Sequence, residues 1–306
     1  MSSIVSSHSP DAIERAVSVL NAGGLVGLPT ETVYGLAARA DIEDAVAKIF
    51  RAKGRPSDHP LILHISDISE LDRYAFNVPR VAMTLAEQCW PGPLTLLLHK
   101  TSAVSPLVTG GRETVAIRIP ANECAREIIR QCGHGLAAPS ANVFGHVSPS
   151  SAQHVLDDLG DRVELIVDDG NCSIGVESTI VDFTTSDPQL LRPGGFPAED
   201  LESIMGHNLI MPTGESRASG MLASHYAPKC TVVLANDITE AHDAQDSIPN
   251  SRILDHWDNT PLYAASLYAQ MRQADNDGVD TIIGVLPPIS GLGSAIRDRL
   301  MKASFV

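Results

Sequence analysis

The chain has 306 residues, 43% hydrophobic and 19% charged, which supplies a sizeable core, leaves room for two domains and excludes global disorder. With 37 acidic against 22 basic side chains the formal charge is -15, so the overall field repels polyanions and any nucleotide must be held by a local cationic site. The five cysteines, Cys89, Cys124, Cys132, Cys172 and Cys230, are an odd number without a Cys-x-x-Cys pair, which argues against a disulfide framework or zinc knuckle and fits a reducing cytoplasm. Met1 to Pro10 lacks a signal-peptide pattern, and no run approaches the ~18 apolar residues of a membrane span, so neither export nor membrane insertion is expected.

Ser9-Pro10 reads as a helix N-cap followed by proline at the first helical position, with Ile13, Ala16, Val17 and Leu20 recurring at helical spacing up to Gly23-Gly24. A strand from Leu25 to Leu28 then runs into a loop rich in hydroxyl, carboxylate and phenol groups, Pro29 to Leu36. A ligand-presenting loop and an ordinary strand-to-helix connection both fit that stretch. A second helix, with Ile42, Ala45, Val46, Ile49 and Phe50 on one face, delivers Lys53 and Arg55 just past its end. Together with Lys48 and Arg51 they form the local cationic cluster.

Leu61 to Ile65 reads as a strand with Ile62 and His64 on the face opposite Leu61, Leu63 and Ile65, so His64 is either a sheet residue or a ligand group. A helix from Val78 to Gln88 ends near Trp90-Pro91-Gly92-Pro93, and Leu94 to Leu98 is an apolar strand. Thr114 to Pro120 alternates cleanly: Val115, Ile117 and Ile119 face a core, while Thr114, Ala116 and Arg118 share the other face. That second face is either a groove wall or a solvated surface with an idle arginine.

A helix from Glu123 to Gln131 precedes a short strand, Gly135 to Ala138, that enters Pro139-Ser140-Ala141-Asn142. Ser148-Pro149 reads as the cap and first residue of a helix continuing through Val155 and Leu159 to Gly160, a helix start suited to phosphate. Strands follow at Val163 to Val167, Val176 to Phe183 and Gln189 to Leu191, ending in Arg192-Pro193-Gly194. Roughly seven short strands mixed with helices give an α/β or α+β domain over residues 1–205. Residues 206–228 have linker composition. Residues 229–306 form a smaller α/β unit, with strands at Cys230 to Leu234 and Thr281 to Val285, a helix at Leu262 to Ala274, and Gly291-Leu292-Gly293 opening a last helix to Lys302.

The chain has no Gly-x-x-x-x-Gly-Lys-Ser/Thr loop, no Gly-x-Ser-x-Gly elbow and no His-Glu-x-x-His helix. Asp168-Asp169 either binds a cation or forms a solvated turn. What remains is a set of cations, hydroxyls and amides at strand ends: Thr32, Lys53, Arg55, His64, Thr114, Arg118, Ser140, Asn142, Ser178 and Arg192. None is an activated nucleophile. Such an inventory suits a reaction in which the substrates supply nucleophile and leaving group, and nucleotidyl transfer is of that type.

The ordered segments Pro29-Thr30-Glu31-Thr32-Val33-Tyr34-Gly35-Leu36, Lys53-Gly54-Arg55-Pro56, Trp90-Pro91-Gly92-Pro93-Leu94-Thr95, Ala116-Ile117-Arg118-Ile119-Pro120, Pro139-Ser140-Ala141-Asn142, Glu177-Ser178-Thr179-Ile180-Val181-Asp182 and Leu191-Arg192-Pro193-Gly194 resemble the YrdC-like family. Ser219-Gly220-Met221 to His225-Tyr226-Ala227-Pro228 and Gly291-Leu292-Gly293-Ser294-Ala295-Ile296-Arg297-Asp298-Arg299-Leu300 resemble its long, two-domain form. The resemblance implies a twisted mixed sheet flanked by helices, plus a small Rossmann-like C-terminal domain. It also implies condensation of L-threonine, bicarbonate or carbon dioxide, and ATP to threonylcarbamoyl-AMP and pyrophosphate, with magnesium on the phosphates and a downstream transferase acting on transfer RNA.

By the same resemblance Lys53 and Arg55 hold the triphosphate and are the catalytic cations. His59, Thr114, Ser140, Asn142, Ser148, Arg192 and Tyr226 surround ATP, and Thr32, His64, Arg118, Ala138 and Ser178 hold threonine, Arg118 suiting its carboxylate. His59 stands where shorter relatives carry Asn, and Ala138 where some carry Thr. The linker is expected to lie over the site. Two rival readings are a carbamoyl-adenylate-forming enzyme and a double-stranded RNA or ribosome-binding module that uses the Lys48 to Arg55 cluster.

Overall fold

The computed structural model describes residues 3–212, 217, 218, 220 and 226–304. Apolar residues at three- and four-residue spacing form helices with one buried face, and short apolar runs pair into sheets. In chain order the larger unit comprises β1 Ser3–Ser6, α1 Ala12–Asn21, β2 Val26–Leu28, β3 Gly35–Arg39, α2 Glu43–Lys53, β4 Ile62–His64, α3 Leu71–Tyr74, α4 Arg80–Cys89, β5 Leu94–His99, α5 Pro106–Thr109, β6 Thr114–Arg118, α6 Glu123–Cys132, β7 Leu136–Ala137, α7 Ala152–Leu159, β8 Leu165–Asp168, β9 Thr179–Asp182, β10 Gln189–Arg192 and α8 Ala198–Met205. The smaller unit comprises β11 Thr231–Ala235, α9 Ile238–Ser247, β12 Ser251–Ile253, α10 Thr260–Asn276, β13 Thr281–Val285 and α11 Gly293–Ser304.

The large sheet runs β1-β8-β2-β3-β7-β4-β6-β5-β9-β10, mixed in direction, and the small one is parallel, β11-β13-β12. One apolar layer joins α2 and α4 to the sheet through Ile49, Phe50, Leu85, Leu63 and Ile117. The opposite layer brings α1 and α6 together through Ala16, Leu20, Ile128 and Ile129. The alternation of β6 holds: Val115 and Ile117 enter the first layer, while Ala116 faces Ile62, Leu97, Ile180, Leu191 and Ala218.

Two expected caps are displaced. Helix α1 begins only after Asp11, because Ser9-Pro10 forms a turn in which Ala12 N donates to Ser9 O at 3.0 Å. Likewise α7 is capped by Ser151, whose Oγ accepts from His154 N, while Pro149 O accepts from Tyr34 N at 2.9 Å. Ser148-Pro149 is therefore extended chain crossing to the first loop, not a helix start, and Ser148 offers no helix-terminal phosphate site. The sheet has more strands than expected. Strand β3, Gly-Leu-Ala-Ala-Arg, is buried through its first four residues, so it shows no alternation, and β1 pairs in parallel at the sheet edge.

The two units share an apolar cluster. Val33, Val147 and Val176 of the larger unit pack with Tyr226 and with Tyr263, Leu267, Tyr268, Met271, Ile296 and Leu300 of α10 and α11. Each such fully buried large side chain contributes about 1.5–3 kcal/mol relative to exposure. The approach is close enough to require glycine: at Gly175, with φ +77°, a Cβ would stand 2.5 Å from Ala264 O. At Gly194 a Cβ would stand 2.3 Å from Glu177 O and 2.4 Å from Thr179 N, so the chain leaving β10 lies directly on the backbone entering β9. Of the linker residues 206–228, residues 213–216, 219 and 221–225 lie outside the described residues.

Candidate active site

Strands β4 and β6 run parallel with His64 opposite Arg118 at their C-terminal ends, and the bridge between Gly35 and Ser140 brings the first loop beside the Pro139 to Asn142 turn. The outer ends of parallel strands are where α/β sheets bind small molecules. Here they border a cleft of about 630 Å³, open mouth included. The first loop is fixed by its own chemistry. Thr30 Oγ1 donates to Val33 O at 2.6 Å and accepts from Thr32 N and Val33 N at 3.2 Å, while Ile174 N donates to Glu31 O.

At one end of the cleft stands Lys53, the last residue of α2 and only 1% exposed. Its Nζ donates to Ser140 O at 2.5 Å, Asn142 O at 2.6 Å and Asn142 Oδ1 at 3.3 Å, and its own carbonyl accepts from Phe144 N. Burial, with Arg55 alongside, pushes the Lys53 ammonium well below its ordinary value. Gly54 in the left-handed conformation ends the helix and turns the chain so that Arg55 faces the cleft. Arg55 Nη2 donates to Pro60 O at 2.9 Å and its guanidinium lies over the Phe144 ring. Burial lowers its pKa to about 10, with Tyr226 opposing the shift and Arg192 adding to it.

At the other end Arg118, 3% exposed, donates from Nη1 to Thr32 Oγ1 at 2.7 Å and from Nε to Gly92 O at 3.2 Å. Its Nη2 pairs with Glu31 Oε1 at 2.6 Å. Ser178, entering β9, bonds Thr95 Oγ1 at 2.7 Å, and Arg192 at the end of β10 donates to Ser178 O and Oγ. His64 is buried, with Nδ1 3.2 Å from Ile62 O. Burial, reinforced by Arg118, pushes its imidazole down to about 3.

The folded chain therefore keeps His64 neutral at pH 7, whereas an unfolded chain protonates it near the ordinary value of about 6.5. Acidification between those two values favours the unfolded chain, so the stability present above about 6.5 declines toward pH 3. The expected NMR result is that His64 retains the signals of a neutral ring from about pH 8 to about pH 5. A titration midpoint near 6.5 in the folded protein would contradict this.

The segment joining the two units reaches the same cleft. Tyr226 lines it with φ +65°, a region that a non-glycine residue enters at roughly 1–2 kcal/mol. Its ring stacks with Tyr268, 5.9 Å away, and Arg299 lies over it, 4.9 Å from its centroid. Gly220 also lines the cleft, and Lys302 Nζ donates to Gly220 O at 2.7 Å. Arg217 pairs with Asp182 at 2.8 Å, and Ala218 packs on the sheet beside Ile62 and Leu97.

The cleft thus gathers Thr32, Lys53, Arg55, His64, Arg118, Ala138, Ser140, Asn142, Ser178, Arg192 and Tyr226 of the anticipated set. Three others stand elsewhere. Thr114 lies at the far end of β6 opposite His99, about four residues or 13 Å along the strand from Arg118. His59 makes a T-shaped contact with Phe144, ring centroids 5.3 Å apart, and Ser148 is buried with its Oγ donating to Glu177. The cationic cluster is not one surface: Lys48 donates to Gly23 O, Lys53 is buried, and only Arg51 of the four is exposed. That removes the patch on which an RNA-binding reading rested.

Asp168 accepts from Gly170 N and Tyr34 OH, and Asp169 from Asn122 Nδ2 and Ser7 Oγ, so both serve a turn. Among the described residues no group of three His, Cys, Asp or Glu side chains is placed to hold a metal ion. Sequence reasoning missed Glu31, Phe144, Glu177 and Arg299. Glu31 and Glu177 stood inside recognised motifs, and a carboxylate beside a ligand-binding hydroxyl was the available signal.

A mixed sheet carrying a buried, cation-rich cleft at its strand ends, walled in part by Gly220 and Tyr226 of the segment leading to a second α/β unit, defines a two-domain α/β protein built to bind a small anionic substrate. The Sua5/YciO/YrdC family model, described as "Telomere recombination", matches residues 18–194. A second model, described as "Threonylcarbamoyl-AMP synthase, C-terminal domain", matches residues 196–304. The chain belongs to the Sua5/YrdC family.

It is 40% identical to the threonylcarbamoyl-AMP synthase of Pyrococcus abyssi, with 95% of this chain and 94% of that one covered. It is 41% identical to the threonylcarbamoyl-AMP synthase of Bacillus subtilis, with 98% and 94% covered. Among solved structures it resembles P. abyssi Sua5 complexed with L-threonine, with TM-score 0.93 and 38% identity over 99% of this chain and 97% of that one. No helix among the described residues is long and apolar enough to cross a membrane.

Proposed function

We propose that the protein is a nucleotidyltransferase that condenses L-threonine, carbon dioxide or bicarbonate, and ATP to threonylcarbamoyl-AMP and pyrophosphate. The observation that carries this reading is the composition of the cleft: cations and hydroxyls at both ends, with no activated nucleophile between them. The substrates then supply the reacting groups. The threonine amine adds to carbon dioxide and loses a proton to give a carbamate. A carbamate oxygen attacks the α-phosphorus of ATP, the α–β anhydride bond breaks and pyrophosphate leaves.

Lys53, Arg55 and Arg192, with Ser140, Asn142 and Tyr226, are assigned to the nucleotide. Charge neutralisation by the cations stabilises the charge that builds on the phosphates. Thr32, His64, Arg118, Ala138 and Ser178 are assigned to threonine. The Arg118 guanidinium suits a carboxylate, and neutral His64 offers a hydrogen bond without adding a cation. His59 and Thr114 are assigned to the nucleotide by resemblance alone, and Ser148 acts through its bond to Glu177. Magnesium arrives on the phosphates as part of the substrate.

Residues 206–228 are proposed as the linker that covers this cleft between domains 1–205 and 229–306. Gly220 and Tyr226 on the cleft wall support that reading. The cover limits loss of the carbamate and the mixed anhydride to water. The product's reactivity calls for a transferase that passes the threonylcarbamoyl group to transfer RNA. Five free cysteines support a reducing, cytoplasmic setting.

The test is to incubate the protein with ATP, bicarbonate, magnesium and each amino acid in turn, following pyrophosphate. Release should depend on threonine and bicarbonate, and equal release without threonine would overturn the assignment.

A further inference from the structure

Glu177 forms part of the cleft wall, next in sequence to Ser178, and its carboxylate is buried. Three donors converge on it: Ser148 Oγ at 2.6 Å, Tyr268 OH at 2.8 and 3.1 Å, and Arg299 Nε at 2.7 Å. Two of the three come from the second domain. Arg299 is wholly buried on α11, donates from Nη2 to Pro193 O at 3.1 Å, pairs with Asp298 and lies over Tyr226. It is not itself among the residues lining the cleft.

A second buried cation, Arg192, stands within electrostatic reach of the same carboxylate. Instead of pairing with Glu177, Arg192 directs Nε and Nη2 to Ser178 O at 3.1 and 2.8 Å. A buried carboxylate without a counter-ion either takes a proton or captures the nearest cation. We propose that Arg299 is a positioning residue for the nucleotide. By serving as the counter-ion of Glu177, it keeps that carboxylate from drawing Arg192 away from the phosphates.

The inference rests on the assignment of Arg192 to ATP made above. It gives the second domain a role in the charge balance of a cleft wall supplied by the first. Burial alone would raise the Glu177 pKa, but Arg299 and Arg192 hold it down at about 2, so the carboxylate stays ionised and needs that counter-ion. Asp298 also pairs with Arg299, but it has a second cation in Lys302 at 2.8 Å, whereas the cation paired with Glu177 is Arg299 at 2.7 Å.

The test compares full-length Arg299→Met, Arg299→Lys and the double variant Arg299→Met/Glu177→Gln with the parent. A non-hydrolysable ATP analogue is titrated by calorimetry, KM is measured separately for ATP and threonine, and folding is checked by circular dichroism. Arg299→Met is expected to weaken analogue binding by about tenfold or more, with the threonine KM changed less than about threefold. The double variant, which removes both charges, is expected to recover most of that loss, and Arg299→Lys to stay within about threefold of the parent.

A purely structural arginine predicts a double variant no better than the single one and equal losses for both substrates, and either result overturns the proposal. If Arg299→Met does not fold, Arg299→Lys decides: a tenfold loss of analogue binding in that folded, still cationic variant refutes the counter-ion role. If the parent itself shows no threonine-dependent pyrophosphate release, the functional reading fails. The analogue titrations still report on Arg299.

Discussion

Replacing Arg118 by alanine is expected to raise the KM for threonine about a hundredfold and to lower the unfolding free energy by about 3–5 kcal/mol. The two effects have separate causes. The first follows from losing the guanidinium assigned to the substrate carboxylate, whose charge-assisted bonds are the strong ones in such a site. The second follows from stranding Glu31, a 9% exposed carboxylate whose side chain pairs with Arg118 at 2.6 Å. The double variant Arg118→Ala/Glu31→Gln should therefore recover most of the stability and none of the threonine affinity. Denaturant unfolding and initial rates with each substrate varied in turn separate the outcomes. Equal losses for ATP and threonine would undo the division of the cleft.

Replacing Lys53 by methionine is expected to reduce kcat/KM for ATP by about a thousandfold or more, while unfolding free energy falls by only about 1–3 kcal/mol. Methionine keeps the aliphatic stem in its buried channel and removes a cation that burial already disfavours. The stability cost comes from Ser140 O and Asn142 O, which lose their donor. If ATP use survives in Lys53→Met, the ammonium is a peg holding the Ser140 to Phe144 turn and not a phosphate ligand. Calorimetric titration with the ATP analogue distinguishes the two without requiring turnover.

The parts of the site that the sequence made legible are those whose geometry is local. The alternation of Thr114 to Arg118 placed Arg118 away from the core whatever its partners, and the apolar spacing of α2 placed Lys53 and Arg55 together at its end. The same alternation also put Thr114 on the Arg118 face, yet the cleft extends only along the C-terminal end of that face, and sequence spacing contains no such limit. Ser148-Pro149 has the composition of a helix start. Its backbone is committed instead to the first loop through Pro149 O, a distant pairing invisible in local chemistry.

Strand β3 was missed for a different reason: with Gly35 to Ala38 apolar and buried without a break, it has no polar face to betray its period. The bond between Glu177 and Arg299 joins positions 122 residues apart in two domains, and only packing reveals it. The family resemblance named the segments that meet, but not the pairings Glu31–Arg118 and Glu177–Arg299 that set their charge.

The glycine at position 194 has a consequence for how this family can change. Because a Cβ there would strike the backbone of Glu177 and Thr179, the separation between Ser178 and Arg192 is set by main chain lying on main chain. Side-chain replacement cannot widen or narrow that wall by small steps. Variation in the size of an accepted amino acid is therefore channelled to side chains elsewhere in the lining, such as the short one of Ala138. The stretch between Ser178 and Arg192 acts as a fixed gauge, and the rest of the lining is where natural or laboratory selection has room to work.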